Sequence, residues 1–122
     1  MLPIQITVYG LKSCDGCRKA RKWLDAHGLA HDFHDFRAAP PGGEAIATWL
    51  AAVGSDKLLN RRGTTWRGLG EADKARAEAG TKDLIALLAQ HPALMKRPVI
   101  EAGGNVLVGF DSAVQSTLEK LG

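Results

Sequence analysis

The sequence predicts an α/β fold, a single mixed sheet covered by helices, with elements in the order βαβ, a helical segment, then ββα. Three observations predict it. Residues 4 to 9, Ile-Gln-Ile-Thr-Val-Tyr, alternate apolar and polar and are rich in β-branched side chains, and a helical pattern follows them directly. Between Pro40-Pro41-Gly42-Gly43 and Pro92 the apolar residues recur only at helical spacing. Two short β-rich runs then flank Gly103-Gly104-Asn105.

Taken in order, the first strand covers 4 to 9 and leads into a loop, Gly10-Leu11-Lys12-Ser13. From Asp15 to about His27 the pattern is helical, with Cys17, Ala20, Trp23 and Leu24 on one flank and Arg18, Lys19, Arg21 and Lys22 on the other; Gly28 ends it as a C-cap glycine does. A second strand near Ala30 to Phe36 follows, and a strand reached through a helix implies parallel pairing. Ala45, Ile46, Trp49, Leu50 and Val53 recur at 3 and 4, giving a short amphipathic helix, and Ser55 caps a further turn through Leu58 and Leu59. Residues 60 to 70 read as a loop, 71 to 79 as a polar helix, and Leu84, Ile85, Leu87 and Leu88 after Thr81 as a helix that stops before Pro92. Pro98-Val99-Ile100-Glu101 is a strand, Gly103-Gly104-Asn105 a turn suited to positive φ, and Val106-Leu107-Val108-Gly109 its hairpin partner. Asp111 caps a last helix with Val114, Leu118 and Leu121 in register. Nothing divides the 122 residues, so one domain, 1–122, is expected, with a helical insertion at about 43–92.

With 45% hydrophobic and 24% charged residues, the composition is that of a globule rather than of a disordered or fibrous chain. No run approaches the roughly 20 apolar residues of a membrane span, and Met1-Leu2-Pro3-Ile4-Gln5 lacks the features of a signal peptide, so no membrane partner and a cytoplasmic location are expected. The formal charge of +3 is too small to require nucleic acid, and no direct nucleic-acid contact is expected. Basic residues do gather in 18–22, in Asn60-Arg61-Arg62 with Arg67, and in Lys96-Arg97, a pattern that also fits a plain solvated helix face and two surface loops.

The only cysteines, Cys14 and Cys17, form C-x-x-C. In a reducing compartment that spacing means a redox dithiol, half of a metal site, or coincidence. A free cysteine with a pKa near 8.5 is only ~3% thiolate at pH 7, whereas one near 6 would be ~90% thiolate. Cys14 falls where a strand ends and a helix begins, so its sulfur can face unpaired backbone N–H groups. A drop from about 8.5 to 6 is worth roughly 3.4 kcal/mol, more than the ~0.3 to 1 kcal/mol of an exposed helix terminus, so cations or further hydrogen bonds must contribute. Lys12, Arg62 and Arg97 are the candidates. Cys17, one turn inward, can attack a mixed disulfide or sulfenate on Cys14, or can be a small buried apolar residue.

Cys14-x-x-Cys17 is followed after 13 residues by His31-x-x-His34, near a zinc-finger spacing. These histidines fall in the predicted second strand, where an odd separation points them to opposite faces, and no metal site is expected. His27 and His91 read as helix-end histidines.

Four stretches carry a resemblance that covers nearly the whole chain. They are Tyr9-Gly10-Leu11-Lys12-Ser13-Cys14 with Cys17-Arg18-Lys19-Ala20-Arg21-Lys22-Trp23-Leu24; Leu58-Leu59-Asn60-Arg61-Arg62-Gly63-Thr64-Thr65-Trp66-Arg67; His91-Pro92-Ala93-Leu94-Met95-Lys96-Arg97-Pro98-Val99-Ile100; and Leu107-Val108-Gly109-Phe110. Together they resemble the ArsC-type arsenate reductase family in its Spx/YffB-like branch. The resemblance implies a thioredoxin-like fold and a cis proline at Pro98 beside the reactive cysteine. It implies that Cys14 is the nucleophile and that Arg62 and Arg97 hold an oxyanion, a role suited to the always-charged fork of guanidinium donors. Lys12, Arg62, Arg97 and Pro98 are then the expected substrate contacts, and Cys14, Cys17, Arg62 and Arg97 the expected catalytic set.

Two departures shape the expected function. Arsenate reductases of this type carry a further arginine after the proline strand, and residues 101 to 110 contain none. Cys17 gives the chain the C-x-x-C of Spx-type redox regulators, while Arg62-Gly63-Thr64-Thr65-Trp66-Arg67 is closer to YffB-type proteins. The leading expectation is a glutathione- or glutaredoxin-coupled thiol reductase with no tightly bound cofactor and glutathione as co-substrate. The alternatives are an Spx-like regulator that binds RNA polymerase, and an arsenate reductase proper.

Overall fold

The computed structural model describes residues 4–121; Met1, Leu2 and Pro3, part of the stretch read above for a signal peptide, lie outside the described residues. The chain folds into two compact units, one of them Pro40–Lys96 and the other the two flanking stretches.

The flanking unit is built on a four-stranded sheet with the order β2-β1-β3-β4. Strand β1 (Ile6–Gly10) runs parallel to β2 (Asp32–Asp35) and antiparallel to β3 (Val99–Ala102), which pairs antiparallel with β4 (Asn105–Val108). The period-2 pattern of β1 sends Ile6 and Val8 into a core with Ile100 and Ala102 of β3. Helix α1 (Asp15–Ala26) adds Ala20 and Leu24 to that core, and the C-terminal helix (Ser112–Leu121) adds Val114 and Leu118. The predicted turn forms with Gly103 and Gly104 both at positive φ, and Gly28, φ +68, follows α1 as expected. Asp111 caps the last helix, its Oδ1 accepting the Val114 N–H at 2.9 Å.

The second unit is helical: α2 (Gly43–Val53), the single turns α3 (Ser55–Leu58) and α4 (Thr64–Arg67), α5 (Glu71–Ala79), α6 (Thr81–Gln90) and a 3₁₀ turn (Pro92–Leu94). The C-terminal helix of the chain is therefore α7. Ile46 and Trp49 of α2 are fully buried, as are Leu87 and Leu88 of α6. A β-bridge pairs Leu59 with Met95, and the bonds Asn60 N–H to Leu94 O (2.8 Å) and Lys96 N–H to Leu58 O (2.8 Å) flank it.

Several boundaries differ from the sequence reading: the first strand is Ile6–Gly10 rather than 4 to 9, so Gly10 ends the strand instead of opening the loop, and the hairpin strands each shift by one residue. The second strand is Asp32–Asp35 rather than 30 to 36, because pairing with β1 runs only from Thr7 opposite Asp32 to Gly10 opposite Asp35. His31 thus precedes the strand. The stretch 60 to 70, expected as a loop, contains α4, a turn closed by the bonds Arg67 N–H to Gly63 O (3.2 Å) and Gly68 N–H to Thr64 O (2.9 Å). Among the described residues no helix is long and apolar enough to cross a membrane.

Candidate functional site

Strand β1 ends at Gly10, and the chain turns through Leu11, Lys12 and Ser13 so that Cys14 becomes the N-cap residue of α1. The Cys14 N–H closes the turn on Leu11 O at 3.1 Å, and its carbonyl accepts the Arg18 N–H at 3.0 Å, opening the helix ladder. Cys14 has extended backbone (φ −78, ψ 125), and its sulfur lies beside the first turn of the helix, 3.9 Å from where a Cβ on Gly16 would stand.

Four groups act on that sulfur against the cost of burial. Desolvation is the largest single influence on the Cys14 thiol and raises its pKa. The backbone N–H of Cys17, the Cys17 thiol, the Arg97 guanidinium and the backbone N–H of Gly16 act the other way and together bring it below the usual thiol value. Cys14 is partly exposed and Cys17 is buried, and both are free thiols. Burial comes first among the causes that push Cys17 up to about 12, with the neighbouring Cys14 adding to it; the N–H of Leu11 and the charge of Arg97 work the other way.

Packing explains why Cys17 sits there. A Cβ on Gly10 would overlap Cys17 Sγ, so the absent side chain of the strand's last residue is the seat of the buried sulfur. Gly16, in the first turn of α1, faces the same neighbourhood without a clash: a Cβ there would lie in ordinary contact, 3.7 Å from Arg97 O, 3.8 Å from Pro98 Cδ and 3.9 Å from Cys14 Sγ. The Arg97–Pro98 bond is cis. The structure thus brings Cys14, Cys17, Arg97 and Pro98 together.

Lys12, expected among the cations supporting Cys14, engages Asp35: its N–H donates to Oδ2 at 2.9 Å, and its ammonium charge favours the ionised carboxyl. Arg62 belongs to the helical unit, where its backbone is clamped on both sides. Its N–H donates to Asn60 Oδ1 at 3.1 Å, and its carbonyl accepts Arg67 Nη2 at 2.6 Å. The adjacent Arg61 instead pairs with Glu78 at 2.8 Å and Asp56 at 3.6 Å. Within the basic face of α1, Arg18 bonds Asp15 Oδ1 at 3.0 Å and Ser13 O at 3.3 Å, and Arg21 lies 4.3 Å above the Phe33 ring. His31 and His34 face different partners: His31 Nδ1 lies 3.0 Å from Leu29 O, while His34 stacks on Tyr9 with ring centroids 5.1 Å apart. Among the described residues no three His, Cys, Asp or Glu side chains gather in a metal-binding group.

Sequence reasoning passed over Asp35, Gly10 and Gly16. The signal for Gly10 was available in principle, since a glycine ending a strand pattern marks close approach by another element.

Comparison with known proteins agrees with this fold. The family model described as the ArsC family matches residues 9–117. The chain is 43% identical to the solved YFFB (PA3664) protein, covering 92% of this chain and 96% of that one with a TM-score of 0.84. It is 38% identical to an arsenate reductase (ArsC) related protein from Brucella melitensis, over 96% of each chain, with a TM-score of 0.71. It is also 29% identical to the global transcriptional regulator Spx of Streptococcus agalactiae, over 87% of this chain and 77% of Spx. With its mixed sheet, its cysteine at the head of α1 and its cis proline, the chain has a thioredoxin-like fold and belongs to the ArsC family.

Proposed function

We propose that the protein is a thiol-dependent reductase in which Cys14 is the nucleophile and glutathione or glutaredoxin supplies the electrons. The observation that carries this reading is the set of donor groups around Cys14 Sγ, which shifts its thiol below the usual value and so favours the thiolate relative to a free cysteine. In the first step the Cys14 thiolate attacks the glutathione sulfur of a mixed disulfide; the new Cys14–glutathione bond forms as the old S–S bond breaks, and the substrate leaves as a thiolate that takes up a proton. A second glutathione thiolate then attacks the bound glutathione sulfur, giving oxidised glutathione and restoring the Cys14 thiolate. Alternatively Cys17 loses its proton and attacks Cys14 Sγ, expelling glutathione and leaving a Cys14–Cys17 disulfide that glutaredoxin or glutathione reduces. Arg97 supports the anion at Cys14, Arg62 and Lys12 contribute positive charge to substrate binding, and Pro98 borders the site. No tightly bound cofactor is required.

The test is turnover of a glutathione-linked peptide with glutathione, glutathione reductase and NADPH. Wild-type protein is expected to turn over and Cys14→Ser to fall to background. Undiminished turnover in Cys14→Ser would overturn the reading.

A second reading is favoured by the contact between the two sulfurs and by the similarity to Spx. Here the pair is a redox switch, and the α1 face with Arg18, Lys19, Arg21 and Lys22 docks on RNA polymerase. Polymerase capture that differs between reduced and oxidised protein, and loses that difference in Cys17→Ala, is its expected outcome; redox-independent capture, or none, removes it. Arsenate as substrate is the weaker third reading, since the β3–β4 hairpin carries no arginine.

A further inference from the structure

The end of β2 fastens the cysteine loop from outside its own helix. Asp35 closes β2 directly opposite Gly10, and its carboxylate reaches across that sheet end. Oδ2 accepts the Lys12 N–H at 2.9 Å, and Oδ1 accepts the Arg37 N–H at 2.7 Å. The next residue, Phe36, donates its N–H to Gly10 O at 2.8 Å. Residues 10 and 12, on the two sides of Leu11, are therefore both held by the end of β2. Leu11 matters because its carbonyl accepts the Cys14 N–H at 3.1 Å and its own N–H reaches Cys17 Sγ.

We propose that Asp35 is a positioning residue for the Cys14 thiolate, holding the 10–14 turn so that Cys14 Sγ keeps its place at the first turn of α1 beside Gly16. It deepens the reductase reading and rests on it for its functional meaning. The physical case concerns geometry rather than charge. A carboxylate at this end of the sheet acts electrostatically against a thiolate, so through its charge alone Asp35 would raise the Cys14 pKa. Through the turn it does the opposite, because hydrogen bonds to a charged acceptor weaken steeply as alignment is lost. The two roles therefore predict opposite signs for the same substitution.

The measurement is the pH dependence of Cys14 alkylation by iodoacetamide in the intact protein, with the modified residue identified by mass, for wild type, Asp35→Ala and Asp35→Asn. Asp35→Ala is expected to shift the midpoint upward and slow alkylation near pH 6 by about threefold or more. Asp35→Asn, which keeps one acceptor oxygen while losing the charge, is expected to fall between the two. A midpoint that stays put or moves down in both variants overturns the proposal. A wild-type midpoint equal to that of free cysteine would instead count against the reductase reading, and the comparison between variants and wild type would still read the effect of Asp35.

Discussion

Cys14 and Cys17 are the same side chain one helical turn apart, yet their surroundings drive them in opposite directions. Cys14, at the N-cap, gathers donors from Gly16, Cys17 and Arg97 and is brought below the usual thiol range. Cys17 is 1% exposed against the bare face of Gly10 and is pushed up to about 12. Dipeptide spacing alone does not make a redox pair. The asymmetry comes from where the strand ends: the first sulfur meets free helix N–H groups, and the second meets a strand with no side chain.

The strongest way to break this contrast is to fill the space behind Cys17. Gly10→Ala is expected to cost about 1–3 kcal/mol, because its methyl must displace the sulfur. Adding Cys17→Ala in the same chain should recover most of that loss, and thermal unfolding of the single and double variants reads the coupling. If the two costs simply add, the contact is not the cause.

Cys17→Ala alone separates packing from chemistry. Losing the buried sulfur is expected to cost about 1 kcal/mol. It also removes a donor from Cys14, so the alkylation midpoint of Cys14 should rise while the Cys17 backbone N–H keeps it from reaching the free-thiol value. In the native protein, alkylation at pH 7 is expected to favour Cys14 over Cys17 by at least ~100-fold, since a thiol near 12 is almost wholly protonated.

The smallest effect lies at high pH. Burial first, then the hydrogen bond to Glu101 (3.0 Å) and that residue's charge, raise Tyr9 from 10.0 to about 12, while burial raises Cys17 from 9.0 to about 12. A group whose folded pKa lies above its unfolded value gives stability that is complete below the unfolded value and is lost as pH climbs through the folded one. The protein should therefore lose stability from about pH 9 for Cys17 and pH 10 for Tyr9, up to about 12. Tyr9→Phe and Cys17→Ala should each flatten their own part of a melting-temperature profile.

Much of the sheet unit could be read from sequence because its signals are local. The alternation of 4–9, Gly28 after a helical run, Gly103-Gly104 in a turn and Asp111 before Val114 each act within a few residues. Helix α4 was missed because Thr64-Thr65-Trp66-Arg67 holds two β-branched residues between glycines, a pattern that propensity assigns to a loop. Cys14 and Arg97 were legible as candidates, the first by its place at a strand-to-helix junction and the second as a basic residue whose role the family resemblance then suggested, and the structure brings the two together. Asp35 was not, because an acid at a strand end looks like any turn former; its link to Lys12 depends on parallel register across 23 residues. Gly10 depends likewise on which helical residue packs behind the strand.

The depth at which Cys17 lies imposes an order of arrival. Cys17 is 1% exposed and Cys14 only partly covered, so oxidants and electrophiles from solution meet the outer sulfur first. In the proposed cycle the inner thiol is then a stored reply, spoken only to whatever the outer one has already caught.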